Sequence, residues 1–349
     1  MVDLFAGPGG LDVAAHWLGI RVHGVEWDAD ACETRRAAGL GTEEGDVRNV
    51  GPADFPDTTI LAGGPPCQTY TMAGTGVGRR ALDEVLSFVK RMAVGEDVDT
   101  CIAGLDDERT GLVLQPLRWI LEANRLGIPY DAVVLEQVPA VLPVWEAYRE
   151  VLEGLGYSVD VGVLKTEQFG VPQTRRRAIL VANRNLEPRL PMPTHREYRK
   201  GVSRSAGDQA LLPWNTMGDA LDRRDPFVVI SNYGSGGDPR ARGRRTSGEP
   251  AATVTGKISR NRVVALDQAE LERFSNAEAG QLQTFPADYP WSGRAVAQQI
   301  GNAIPPRLAA QVLAAALGVE LDAGLLDSAV ASSWRDTRYG VHRPASRTS

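Results

Sequence analysis

The chain has 349 residues, 43% hydrophobic and 23% charged, with a net charge of −6. Those proportions suit a soluble globular protein with one large and one small domain, and no run approaches the roughly 18 to 20 apolar residues of a membrane span. Cys32, Cys67 and Cys101 have no metal-ligand spacing, and an odd number argues against a disulfide framework. No metal is therefore expected, and with no basic-then-apolar leader at the N-terminus a reducing cytoplasm is the expected location. Charge is uneven: residues 196–262 hold 13 Lys/Arg against 7 Asp/Glu, a local +6, so the rest carries −12. Such asymmetry points either to a polyanion or to a solvated basic face.

The first half alternates strand-like and helix-like segments, the pattern of a parallel α/β sheet. Val2 to Phe5 reads as a strand, Gly7-Pro8-Gly9-Gly10 as a turn, and Leu11 to Leu18 as a helix. Val22 to Glu26 is a second strand, and Asp28 is placed to cap a helix that reaches Ala38 and stops at Gly39. Thr59 to Ala62 is a strand, and Leu82 to Val94 and Leu114 to Asn124 have helical spacing. Ala132 to Glu136 reads as a buried strand, Val144 to Leu155 as a helix, then Tyr157 to Lys165 and Ala178 to Ala182 as strands. Pro188, Pro191 and Pro193 mark a boundary. Beyond it the chain is rich in Arg, Gly, Ser and Pro, with β-like pieces at Phe227 to Ile230 and Thr253 to Thr255 and a loop over 235–248. Helices return near Gln281 to Gln283, at Val296 to Ile300 and at Pro306 to Leu317, and disorder is expected after Ala331.

Glycines between a first strand and a first helix let a nucleotide-like ligand approach the backbone. Phe5-Ala6-Gly7-Pro8-Gly9-Gly10 has that form, although a merely tight turn has it too. Glu26, ending the second strand, suits ribose hydroxyls, Trp27 beside it suits stacking on a base, and Asp46 suits an adenine amino group. Together these residues predict an adenosine cofactor at the carboxyl edge of one sheet. Cys67 follows Gly63-Gly64-Pro65-Pro66 on a stiff turn. A free cysteine is commonly a small buried hydrophobe, so its neighbours decide whether it reacts.

Six segments in order resemble the cytosine-C5 DNA methyltransferase family: Asp3 to Gly10, Gly63 to Gln68, Glu136-Gln137-Val138, Pro172 to Arg177, Leu282 to Pro286 and Gln299 to Pro305. The resemblance implies a Rossmann-like methyltransferase sheet with a smaller, irregular β-rich target-recognition domain. It implies S-adenosylmethionine as cofactor, double-stranded DNA as partner, and a monomer. Residues 1–187 would form the catalytic domain, 188–276 the recognition domain, 277–330 a return to the catalytic domain, and 331–349 a tail.

By the same resemblance Cys67 is the nucleophile that adds to cytosine C6, and Glu136 contacts the N3 and amino edge. Arg177 contacts O2, and Arg175 contacts a nearby phosphate or loop. Phe5, Gly7, Gly9, Gly10, Leu11, Glu26, Trp27, Asp46, Pro65, Asn302 and Ala303 fall to the cofactor. Gln68, Arg79, Arg80, Arg240, Arg242, Arg244, Arg245 and Thr253 fall to DNA, the arginines being equally readable as solvated surface. Pro250 to Thr255 resembles the family's Thr-Leu/Val signature. Chemistry at C5 and C6 requires the base to leave the stack. Two departures stand out: Gln137 replaces an Asn that braces the cysteine loop, and about 25 additional residues near 79–106 suggest a lid, a partner contact or added DNA surface. Other readings are cytosine alkylation with RNA or a modified cofactor, and an inactive DNA-binding homologue.

Overall fold

The computed structural model describes residues 1–66, 76–102, 108–232 and 242–337, leaving the side chains of 76–80, 99–100, 108–109 and 337 aside. Cys67, Gln68 and Arg240 lie outside the described residues, as do the side chains of Arg79 and Arg80. In chain order the first part holds β1 (Val2–Leu4), α1 (Gly10–Trp17), β2 (His23–Glu26), α2 (Ala29–Ala38), β3 (Gly41–Glu44) and β4 (Ile60–Gly63). Next come α3 (Gly76–Ala93), α4 (Asp99–Ile102), α5 (Glu108–Gly111), α6 (Gln115–Arg125), β5 (Ala132–Gln137), α7 (Leu142–Gly154), β6 (Ser158–Lys165) and β7 (Arg176–Asn183). The second part holds α8 (Met217–Ala220), β8 (Phe227–Ile230), β9 (Arg244–Thr246), β10 (Arg262–Ala265) and β11 (Glu270–Leu271). It ends in α9 (Asn276–Leu282), α10 (Val296–Asn302), α11 (Pro306–Leu317), α12 (Ala323–Ala331) and α13 (Trp334–Thr337).

β1 to β7 form one sheet in the order β3-β2-β1-β4-β5-β7-β6, with β7 antiparallel to both neighbours. Every residue of β1, β4 and β5 is buried, as expected of strands covered on both faces. Successive side chains alternate between two cores. Val133 and Leu135 of β5 join Trp119 and Trp145 on the side of α6 and α7, whereas Ala132 and Val134 join Leu308 and Val312 of α11 on the other. β2 and β4 flank β1, so the chain reverses direction across the sheet there, and a crevice opens at the carboxyl ends of the strands. The helix stops read from the sequence act as expected: Asp28 accepts from the Ala31 N–H at 2.8 Å, and Gly39 closes α2 at φ +71°.

β8 to β11 form a separate four-stranded sheet, ordered β11-β10-β8-β9. Its core takes Phe227, Val229 and Val263 from the strands, but also Ala279 and Leu282 of α9 and Val296 and Ile300 of α10. α9 and α10 thus pack on the small sheet, whereas α11 and Leu326 of α12 join the large sheet's core.

Three further expectations change. Thr253 to Thr255 are not a strand: the Thr253 hydroxyl donates to the Thr174 carbonyl and the Val254 N–H to Gln173 Oε1, so these groups make no ladder. β9 instead arises inside the stretch read as loop, where Arg244, Arg245 and Thr246 form an exposed edge without apolar alternation. Within the inserted segment α3 packs on α7 and buries Val85, Phe88 and Val89 in the main core. Beyond Ala331 the chain is ordered through Thr337, with Trp334 only 2% exposed.

Candidate active site

The crevice begins where β1 ends. Phe5 takes φ +59°, unusual for a residue with a Cβ, and Gly7 and Gly9 follow at φ +53° and +103°. Gly10 must be glycine for a different reason: a Cβ there would lie 2.4 Å from the Ile304 carbonyl oxygen. Nothing lies within 4 Å of a Cβ built at Gly7, so this backbone faces open space. Glu26 joins the two strand ends, its Oε2 accepting from the Gly7 N–H at 2.7 Å and its Oε1 from the N–H groups of Trp27 and Asp28 at 2.9 and 2.7 Å. Burial pushes its pKa up while these three donors pull it back.

A narrow cleft opens there, lined by Phe5, Glu26, Trp27, Asp46, Val47 and Leu112 among others. Four residues predicted from three different strand ends thus meet in one place. Leu112 joins them although nothing local marks an apolar residue after a long insertion for that place. Trp27 is 63% exposed, an aromatic face left without cover. Asp46 accepts from the Arg48 backbone and side chain, and that arginine holds its carboxyl below the usual range. Gly7, Gly9, Gly10, Leu11, Pro65, Asn302 and Ala303 are not among the residues that line the cleft. The Leu11 side chain packs in the α11 core, Ala303 packs with Val13 and Tyr289, and Asn302 Oδ1 accepts from Gln298 at 2.9 Å. A larger hollow, about 480 Å³, lies among His23, Glu43, Asp54, Phe55 and Thr58. It holds neither Glu26 nor Trp27 nor the residue that follows β1, so location and chemistry, rather than size, pick out the cleft.

Across the reversal point, β4 ends in Gly63 and β5 carries Glu136. The Glu136 carboxylate is buried and ion-paired with Nε of Arg177 on β7. Arg177 Nη1 also donates to the Arg176 carbonyl at 2.8 Å. A Cβ at Gly64 would stand 3.4 Å from Glu136 Oε2, so the glycine turn leading to Cys67 lies directly against this carboxylate. Gln137 braces the same turn: its Nε2 donates to the Pro65 carbonyl, and its Oε1 accepts from the Val138 N–H. The additional methylene is absorbed by folding the side chain back onto its own backbone. Cys32 is no rival nucleophile, because it is buried and its thiol is pushed up to about 11.

Arg175, for which a phosphate or a loop was the expected partner, is engaged with backbone. It is 2% exposed, and its guanidinium donates to the carbonyls of Val254 and Gly301 at 2.9 and 2.8 Å, tying the small sheet's lobe to the end of α10. Three motif glutamines do similar joining. Gln173 Nε2 donates to Gln283 Oε1 at 2.6 Å, Gln283 Nε2 to the Ile300 carbonyl at 2.6 Å, and Gln299 Oε1 accepts from Thr34 on α2 at 2.7 Å. Of the residues expected on DNA, Arg244 donates to Gln268 at 2.8 Å. Arg245 lies 4.4 Å from the Tyr198 ring centroid and reaches Thr174 Oγ1 at 3.4 Å, just before the strand that carries Arg177. Arg242 is half-buried, and Thr253 is anchored to Thr174. Among the described residues no His, Cys, Asp and Glu side chains converge in a metal-binding group, and no helix is long and apolar enough to cross a membrane.

Comparison with known proteins agrees with this geometry. The type II methyltransferase M1.HphI of Haemophilus parahaemolyticus is 27% identical over 351 aligned residues, covering 90% of this chain and 86% of its own. M.NgoFVII of Neisseria gonorrhoeae is also 27% identical, covering 88% and 83%. The solved structure of the S. pombe Dnmt2 methyltransferase superposes with a TM-score of 0.57 at 16% identity, covering 91% of this chain and 97% of that one. That of the Entamoeba histolytica methyltransferase EhMeth gives 0.57 at 13%, covering 91% and 97%; both likenesses concern the fold alone. The family model for C-5 cytosine-specific DNA methylases matches residues 1–90, 102–205 and 192–317, breaking between α3 and the end of α4 within the inserted segment. Glycine turn, buried Glu136–Arg177 pair and braced cysteine turn thus occur in a chain that belongs to the C-5 cytosine-specific DNA methylase family.

Proposed function

We propose that the protein methylates C5 of a cytosine flipped out of double-stranded DNA, with S-adenosylmethionine as the methyl donor. The observation that carries the reading is the placement, at strand ends of one sheet, of the cleft lined by Phe5, Glu26 and Asp46 and of the Glu136–Arg177 pair with the Gln137-braced turn. The cleft suits the cofactor chemically. The neighbouring backbone is open at Gly7, Trp27 offers an uncovered ring for the adenine, and Glu26 and Asp46 place carboxylate oxygens at the cleft's edge.

Cytosine C5 is a poor nucleophile. The Cys67 thiolate adds to C6, forming an S–C6 bond and leaving an enamine with electron density at C5. Glu136 contacts N3 and the amino group and stabilises the adduct protonated at N3, while Arg177 orients Glu136 and offers N–H to O2. The cofactor supplies an electrophilic methyl group on a sulfonium. After transfer a base takes the C5 proton, the electron pair re-forms the C5–C6 double bond, and the Cys67 thiolate leaves. The small sheet's lobe, with Arg242, Arg244 and Arg245, supplies DNA contacts that position the duplex and read bases.

Expression in a host without cytosine methylation, followed by bisulfite sequencing and nucleoside mass spectrometry, tests the reading. We expect 5-methylcytosine in one DNA sequence context, and Cys67→Ser should abolish product while keeping DNA binding. Folded protein without any methylated context, or full activity in Cys67→Ser, would refute it; another nucleoside product would point to a different cytosine alkylation.

A further inference from the structure

We infer that the C-terminal segment around Trp334, which lies beyond the family match ending at residue 317, is a positioning element for the cofactor turn. Trp334 is 2% exposed, and its Nε1 donates to the Ala38 carbonyl at the end of α2 at 3.1 Å. Its ring lies 5.3 Å from His16 near the end of α1 and 5.4 Å from Tyr289, edge-on to the latter. Asp288 holds the segment in place, accepting from the Trp334 N–H and the Ser333 hydroxyl at 2.7 Å each.

Tyr289 transmits the contact. It is 3% exposed, its hydroxyl donates to the Pro8 carbonyl, and a Cβ at Gly9 would lie 2.9 Å from the same hydroxyl oxygen. The ring that touches Trp334 therefore also buttresses the middle of the glycine turn, whose Gly7 N–H donates to the cleft residue Glu26. One tryptophan thus bridges the far ends of α1 and α2, the two helices that start at the cofactor edge, and backs the residue that fixes the turn between them. Preorganising a binding loop lowers the ordering cost of ligand capture, so removing the backing should appear in cofactor affinity rather than in turnover.

This inference rests on the assignment of the cleft to S-adenosylmethionine, and the experiment separates the two. S-adenosylhomocysteine binding is measured by calorimetry on the full chain, beside the KM for the cofactor, kcat and DNA affinity. Trp334→Ala should bind S-adenosylhomocysteine about tenfold more weakly, or about 1.4 kcal/mol. Its cofactor KM should rise alike, with kcat and DNA affinity within about twofold of wild type. Trp334→Phe keeps a ring but loses the Ala38 bond and should fall between. Wild type that binds and Trp334→Ala that binds equally well would overturn the inference alone, even with a lowered melting temperature. No binding by the wild type would overturn the cofactor reading and the inference with it. Should Trp334→Ala fail to fold, Tyr289→Phe decides, since it removes only the hydroxyl that holds Pro8: weakened binding supports the inference and unchanged binding overturns it.

Discussion

Gln137→Ala should separate positioning from mere stability at the active site. In the wild type the Gln137 amide serves two backbone groups at once, the Pro65 carbonyl and the Val138 N–H. Pro65 is buried, so its carbonyl cannot take water in exchange, whereas Val138 is half-exposed and its N–H can. Leaving a buried polar group unpaired costs about 1–3 kcal/mol, so one full loss and one partial loss together cost about 3 kcal/mol. Pro65 stands two residues before Cys67. If the brace holds the nucleophile against the Glu136 edge, most of that loss should appear in the transition state, and about 2.7 kcal/mol corresponds to about a hundredfold in rate. Single-turnover methyl transfer with labelled cofactor on saturating DNA measures it, with urea unfolding in parallel. We expect the rate to fall by about that factor, with cofactor binding within about twofold. Gln137→Asn, with an amide one methylene shorter that need not fold back, should retain most of the activity. A Gln137→Ala enzyme that turns over at the wild-type rate, whatever its unfolding midpoint, would refute the argument.

Two further outcomes concern buried charge. Arg35 and Asp12 form a two-pronged ion pair at 2.7 and 2.9 Å with neither side chain exposed, and Asp3 lies beside them with its carboxyl pushed well above the usual range by burial and by Asp12. Asp12→Asn would strand the guanidinium, typically about 3–5 kcal/mol, but Asp3 can lose its proton and take over the negative charge. Urea denaturation should therefore give about 3 kcal/mol for Asp12→Asn and a larger loss for the double variant with Asp3→Asn than the sum of the singles; simple additivity would disprove the compensation. His195 is 3% exposed, and burial followed by the Arg307 charge lowers its pKa to about 4 from an ordinary 6.5. The unfolded chain therefore takes the proton first. The stability that His195 contributes is complete above about pH 6.5 and declines as pH falls towards 4, by about 3 kcal/mol in all. Urea midpoints across that range should fall less steeply in His195→Gln, and equal slopes would count against a neutral buried imidazole.

Much of this protein was legible in its order of residues, and the reason is locality. A glycine turn after an apolar strand, an aspartate before a helix and a glycine after it act within a few residues, so α2 was readable end to end and Phe5, Glu26, Trp27 and Asp46 could be assigned to one sheet edge. Elements whose stability comes from distant partners were not readable. β9 is held by pairing with β8 and shows no apolar alternation of its own. α9 and α10 belong with the small sheet because Leu282 and Ile300 find their apolar neighbours there, a fact of packing with no local signal. Arg175 shows the same limit at the level of a role: its motif left phosphate and loop both open, and the carbonyls that claim its guanidinium come from residues 79 and 126 positions further along the chain. The sequence by itself determined which residue types carry the chemistry and in what order they occur. Only the tertiary structure decided that Gln137 can do the bracing, that Leu112 closes the cleft and that Trp334 backs the glycine turn, because each depends on which distant surfaces are brought within contact distance.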